Sequence, residues 1–179
     1  MERREVKKKL RKLPGWIGTG LITLLNALWL YWGLGEAFYE GWGVPETPWF
    51  LFLTIGLLAI FFSILAIKFP FIGGGILIVA GFAFALWWLL PGIKNGFYTL
   101  SVALGRLLLS GGFTIVGILF ILDGYLNKSI QQANKTWIFR HIRLKIAVGI
   151  PLLTGLIVTG YNLPIVLTRK SFLNFPPSS

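Results

Sequence analysis

The chain contains no cysteine and a single histidine, His141. The first absence removes disulfides, thiolate nucleophiles, Cys-ligated zinc and iron–sulfur clusters. The second excludes a bis-His haem held within one chain. Acids are scarce as well: Glu2, Glu5, Glu36, Glu40, Glu46 and Asp123 are the only six in 179 residues. Pairs of carboxylates for acid–base work therefore have few places to arise. No catalytic, cofactor-binding or metal-ligating motif rises above background, and no cofactor is expected.

Apolar residues are what the chain has. They make up 55% of the sequence, mean hydropathy is +0.75, and only 13% of residues are charged, values outside the range of a soluble globular domain. Long apolar runs bounded by charges, Pro or Gly predict crossings near 15–34, 48–67, 71–90, 107–126 and 146–167. These runs are continuously apolar and do not alternate, so membrane strands fit poorly. The expected architecture is an all-α integral membrane protein with about five transmembrane helices. An alternative has four, with the last segment re-entrant or kinked, because Pro151, Pro164, Gly155 and Gly160 interrupt it. The expected organisation is a basic juxtamembrane segment over 1–14, one helical membrane domain over 15–167 and a short tail over 168–179.

Seventeen Lys and Arg give a net charge of +11. In a soluble protein that excess would suggest nucleic acid, but no recognition module accompanies it and none is expected as a partner. The charge is placed where orientation needs it. Seven basic residues lie in the N-terminal segment and five between Lys128 and Lys145, so an N-terminus in the cytoplasm puts thirteen inside and four outside. The apolar run after the basic segment lacks a small-residue cleavage site and reads as a retained anchor. Val6, Leu10 and Leu13 share a helical stripe among the cations, which suits a surface of anionic headgroups.

The stretch "GLGEAFYEGWGVPETPWF" gathers Glu36, Glu40 and Glu46 and has no Lys or Arg. As the first outer loop it loses its cations to orientation, and its aromatic residues suit headgroup level. A sharper reading makes Glu36 and Glu40, four apart, a cation or partner docking site with Glu46.

Between the second and third crossings stands only "KFP", which predicts a tight antiparallel hairpin with Pro70 opening the third helix. Gly74 and Gly81, seven apart with Ala85 nearby, form a face another helix can approach closely; Gly155 with Thr159 repeats the small-residue spacing. Polar residues at membrane depth are few. Asn26 is expected to make an interhelical hydrogen bond. Asp123, the only acid inside a predicted helix, is expected to pair with Lys128 or the basic segment after it. Arg106 is expected to snorkel to headgroups. Tyr161 and Asn162 before Pro164 suit either a kink or an unwound stretch of the kind transporters use. In "NKSIQQANKTWIFRHIRLK", Ile130, Ala133, Trp137 and His141 form one stripe with Arg140, Arg143 and Lys145 around it. That pattern suits an interfacial helix and a surface for lipid phosphates.

The run "VPETPWFLFLTIGLLAIFFSILAIKFPFIGGGILIVAGFAF", Val44 to Phe84, resembles a family of small bacterial membrane proteins with a domain of unknown function: a Pro/Glu/Trp entry, a helix, a short charged link and a Gly-Gly helix. The family's link often carries Trp and an acid where this chain has "KFP", and the family has four helices. The resemblance implies a bacterial inner-membrane protein with a helical hairpin and carries no activity. Function is expected to be non-catalytic: an accessory or scaffold subunit of a membrane complex, or a bundle that associates with itself. The alternatives are a small transporter component, with Asp123 as its carboxylate, and a lipid-handling enzyme.

Overall fold

The computed structural model describes residues 2–38, 49–94, 96, 99–127 and 136–172. They form five helices: α1 Glu2–Glu36, α2 Trp49–Lys68, α3 Pro70–Lys94, α4 Leu100–Leu126 and α5 Thr136–Phe172. Four contain a stretch long and apolar enough to cross a membrane: Leu10–Glu36, Pro70–Leu90, Leu100–Leu126 and His141–Ile165. The shortest, with 21 residues, rises about 31 Å, against about 30 Å of hydrocarbon. In α2 the apolar stretch Leu53–Lys68 is shorter.

The outside of the bundle is apolar all round. Leu100, Leu108, Val79 and Leu156 are 78%, 72%, 70% and 70% exposed. Leu, Ile, Val and Phe side chains cover the lateral faces of every helix whose surface is described, which in water would leave a far larger apolar patch than a soluble monomer tolerates. The chain is a membrane-embedded multi-pass protein.

Helix α1 sits among α2, α4 and α5. Contacts set the directions. Along α1, Gly15 meets Asp123 and Gly112 meets Leu25, so α4 runs antiparallel to it; Leu30 meets Gly56, and Asn26 meets Ser63, so α2 does too. Thr19, Asn26 and Leu30 meet Arg143, Ala147 and Gly155 in rising order, so α5 runs parallel to α1. The core between them holds Ile22, Leu25, Trp29, Ala59, Ala66, Leu77, Phe113, Val116, Phe120 and Ala147.

Helix α3 lies on α4 along a face of small residues. A Cβ on Gly74 would stand 2.8 Å from the carbonyl oxygen of Gly117, and one on Gly117 would stand 2.6 Å from that of Gly74. Neither helix can carry a side chain there without moving apart, and the closeness yields dispersion contact where lipid supplies no hydrophobic drive. A Cβ on Gly81 would meet Thr114 Oγ1 at 2.7 Å, and one on Gly155 would meet Leu30 Cδ2 at 2.8 Å. Phe69 alone separates α2 from α3. Its N–H donates to the Leu65 carbonyl (2.7 Å), and its carbonyl accepts from the Gly73 N–H (2.8 Å). The backbone of Gly73 lies against that of Leu65 and Ala66, so the chain turns sharply at this point.

The backbone is continuous at two places where the sequence left the course of the chain open. The basic segment expected over 1–14, described from Glu2, runs helically through Pro14 into the first apolar stretch as part of α1. Lys, Arg, Leu and Glu are good helix formers; Pro14 removes the N–H that would have met the Leu10 carbonyl and crowds that carbonyl, yet the helix continues through it. The last segment does not turn back. Helix α5 is continuous through Pro151 and Pro164, and Tyr161 and Asn162 are helical, with Asn162 Nδ2 donating to the Val158 carbonyl at 2.8 Å.

Candidate functional site

Two buried polar joints tie α1 to its neighbours. The larger stands where the N-terminal half of α1, the C-terminal end of α4 and the first turns of α5 converge. Arg143 Nη1 donates to Asp123 Oδ2 at 2.8 Å, with the two side chains only 9% and 11% exposed. Arg143 Nε donates to Thr19 Oγ1 at 2.8 Å, and the Thr19 hydroxyl in turn donates to the Gly15 carbonyl at 2.7 Å. The guanidinium stands over the Phe120 ring, 5.5 Å from its centroid. Asn127 Nδ2 donates to Asp123 Oδ1 (2.8 Å), to the Asp123 carbonyl (3.0 Å) and to the Arg11 carbonyl (3.0 Å). All three neighbours are acceptors, which fixes the amide's orientation.

Local sequence explains this arrangement. Asp123 lies one turn from the C-terminal end of α4, where the helix dipole disfavours a carboxylate, and Arg143 and the Asn127 amide offset that cost. Residue 15 must be Gly, because a Cβ there would overlap the Asp123 carboxylate. On α5, Arg143 begins a buried stripe continued by Ala147, Pro151, Gly155 and Val158. Arg143 Nη2 and Asn127 Oδ1 are buried and have no partner among the described residues.

The second joint is Asn26, fully buried in α1. Its Nδ2 donates to Ser63 Oγ on α2 at 2.9 Å and, in a long contact of 3.5 Å, to the Ala147 carbonyl on α5. That carbonyl is four residues before Pro151, which has no N–H to offer it. The Asn26 amide thus supplies a donor that the proline removed from α5, and the Ser63 hydroxyl donates to the Ala59 carbonyl at 2.6 Å.

At the opposite end of the bundle the sites are aromatic. Trp29 stacks on Trp32 (centroids 5.3 Å) and meets Phe84 edge-on (5.2 Å) and Trp88 (5.6 Å). Arg106 does not reach outward alone: its guanidinium lies 5.0 Å from the Trp88 centroid, and Nη1 makes a 3.4 Å contact with the Trp88 carbonyl. Glu36 accepts from Trp32 Nε1 at 2.7 Å, one turn earlier on the same helix. It borders an open cleft between the ends of α1 and α5 that Tyr31, Trp32, Tyr161 and Asn162 also line.

Of the residues singled out by sequence, Asp123 and Asn26 each sit in a buried joint, while Glu36 is at the other end of the molecule. Glu40 and Glu46 lie outside the described residues, as do Ile130 and Ala133 of the basic stripe. His141 is exposed on α5. Among the described residues no three His, Asp or Glu side chains gather as metal ligands would. Sequence reading missed Arg143 as a buried residue, grouping it with the cations of a surface stripe. The signal was there in the four-residue spacing of Arg143, Ala147, Pro151 and Gly155. No family model, no curated protein and no solved structure matches this chain.

Proposed function

We propose that this chain is a non-catalytic integral membrane protein, an accessory or scaffold subunit of a membrane complex or a bundle that associates with itself. The observation that carries the reading is the Asp123–Arg143 pair: Asp123, buried in α4, is held by a guanidinium, an amide and a close glycine, and so serves to join three helices. A carboxylate that coupled transport to ions would have to leave Arg143 in every cycle.

In this reading α2 also crosses, giving five spans, since its full 20 residues reach about 30 Å. It forms a tight antiparallel hairpin with α3, a reading supported by the bend at Phe69 and the Gly73 contact. The N-terminus is cytoplasmic, favoured by the basic residues at that end, and the membrane is a bacterial inner membrane. The basic N-terminal segment and the link between α4 and α5 face anionic headgroups, and nucleic acid is not a partner. Partners are other membrane chains or further copies of this one, met through the exposed lateral faces of α3, α4 and α5.

The test is complementation of a strain lacking the chain by the charge-free double variant Asp123→Leu/Arg143→Met. The scaffold reading expects full complementation once the variant inserts and folds. A folded, correctly inserted variant that fails would assign the carboxylate a working role and favour transport.

A further inference from the structure

The aromatic end of the bundle holds a cleft of about 210 Å³ among α1, α2, α3 and α4, whose lining includes Trp29, Trp32, Phe84, Trp87, Trp88 and Arg106. Three features set its chemistry. First, every polar side-chain group on its described lining is a donor: the indole N–H groups, of which that of Trp32 already donates to Glu36, and the Arg106 guanidinium. None of the lining residues is acidic. Second, the Trp29 side chain is 6% exposed, and its Nε1 is buried without an acceptor among the described residues. Within a membrane such a donor carries a desolvation cost that an acceptor would relieve. Third, the aromatic faces attract cations, and Arg106 already occupies that of Trp88. A positively charged guest would be repelled by it.

We propose that this cleft binds the anionic headgroup of a membrane lipid, with the phosphate or phosphoglycerol group at Arg106 and the glycerol and upper acyl carbons against the tryptophan faces. The level suits it. Trp32 and Trp87 are exposed at the cleft, and indoles so placed mark the headgroup boundary. Arg106 stands less than two turns inside α4, so its charge reaches that boundary while its stem stays among apolar groups. The site is separate from the basic N-terminal segment, which lies at the other end of α1.

Native mass spectrometry of the full chain, released from nanodiscs of equal phosphatidylglycerol and phosphatidylcholine, tests this. The expected result is one retained phosphatidylglycerol per chain in preference to phosphatidylcholine. Arg106→Gln should lower that retention about tenfold, the effect of one charged hydrogen bond. Arg106→Lys should keep the preference. Trp29→Phe, which keeps the ring and removes the donor, should lower retention by a smaller factor and serves if Arg106→Gln does not fold. Lys68→Gln, exposed at the end of α2 far from the cleft, should leave retention unchanged. Equal retention of the two lipids, or full retention of phosphatidylglycerol by Arg106→Gln, would overturn the proposal. So would displacement of the lipid by excess inorganic phosphate, which would make the site one for a small free anion.

Discussion

Removing either partner of the Asp123–Arg143 pair should destabilise the bundle far more than removing both. In Asp123→Ala the guanidinium keeps Thr19 but loses its counter-charge in a place only 8% exposed, and Asn127 loses an acceptor as well. Breaking a buried ion pair from one side costs about 3–5 kcal/mol, and burial this deep leaves little solvent screening to reduce it. For a chain of this length that is a fall in midpoint of roughly 6–20 °C. Arg143→Ala should cost a similar amount, because it leaves the carboxylate near the dipole-disfavoured end of α4. The double variant Asp123→Leu/Arg143→Met removes both charges and keeps most of the volume. It should recover at least about half of either single loss, as apolar replacements of buried pairs do. Thermal or denaturant unfolding in one detergent, read by tryptophan fluorescence, closes the cycle when the single variants carry the same replacements as the double, Asp123→Leu and Arg143→Met. Additivity of the two single losses within about 0.5 kcal/mol would refute the coupling and with it the claim that the pair is what joins α4 to α5.

Gly15→Ala should weaken the same joint without touching a charge, since its Cβ displaces the Asp123 carboxylate. Gly20→Ala, with nothing near it on the same helix, should be neutral or stabilise by up to about 1 kcal/mol in the same unfolding assay. On α3, Gly74→Ala should cost about 1–3 kcal/mol by forcing α4 away, whereas Gly75→Ala should not, a contrast that differential scanning fluorimetry resolves. Asn26→Val removes the link from α1 to Ser63 and Ala147 and should cost about 0.6–1.7 kcal/mol, the range of interhelical hydrogen bonds in membranes; no loss of midpoint would mean the amide is not holding those helices.

Much of the helix layout was legible because lipid imposes it. A run such as Phe71–Leu90 has one stable form in hydrocarbon, and its limits are set by Pro70 and the charge at Lys94. The role of Asn26 as an interhelical donor follows from the same constraint. Helix starts were harder, because the cations of 3–12 are good helix formers, so the change of charge near Pro14 leaves the backbone helical. Pairing was harder still. That Asp123 needs a cation can be read from its surroundings, but several cations follow it, and only the register of α5 against α1 selects Arg143. The position of Arg106 over Trp88 depends on α3 and α4 approaching closely through Gly74, Gly81 and Gly117, a distance no single helix contains.

The proposed function stands or falls on whether this chain keeps company. Purification of the tagged protein from its native membrane in mild detergent, with the mass of the intact complex and the identity of every co-purifying chain determined together, measures that directly. The account predicts a stoichiometric membrane-protein partner or a homogeneous oligomer of this chain. A monodisperse particle containing a single 20.0 kDa copy and no partner would contradict it.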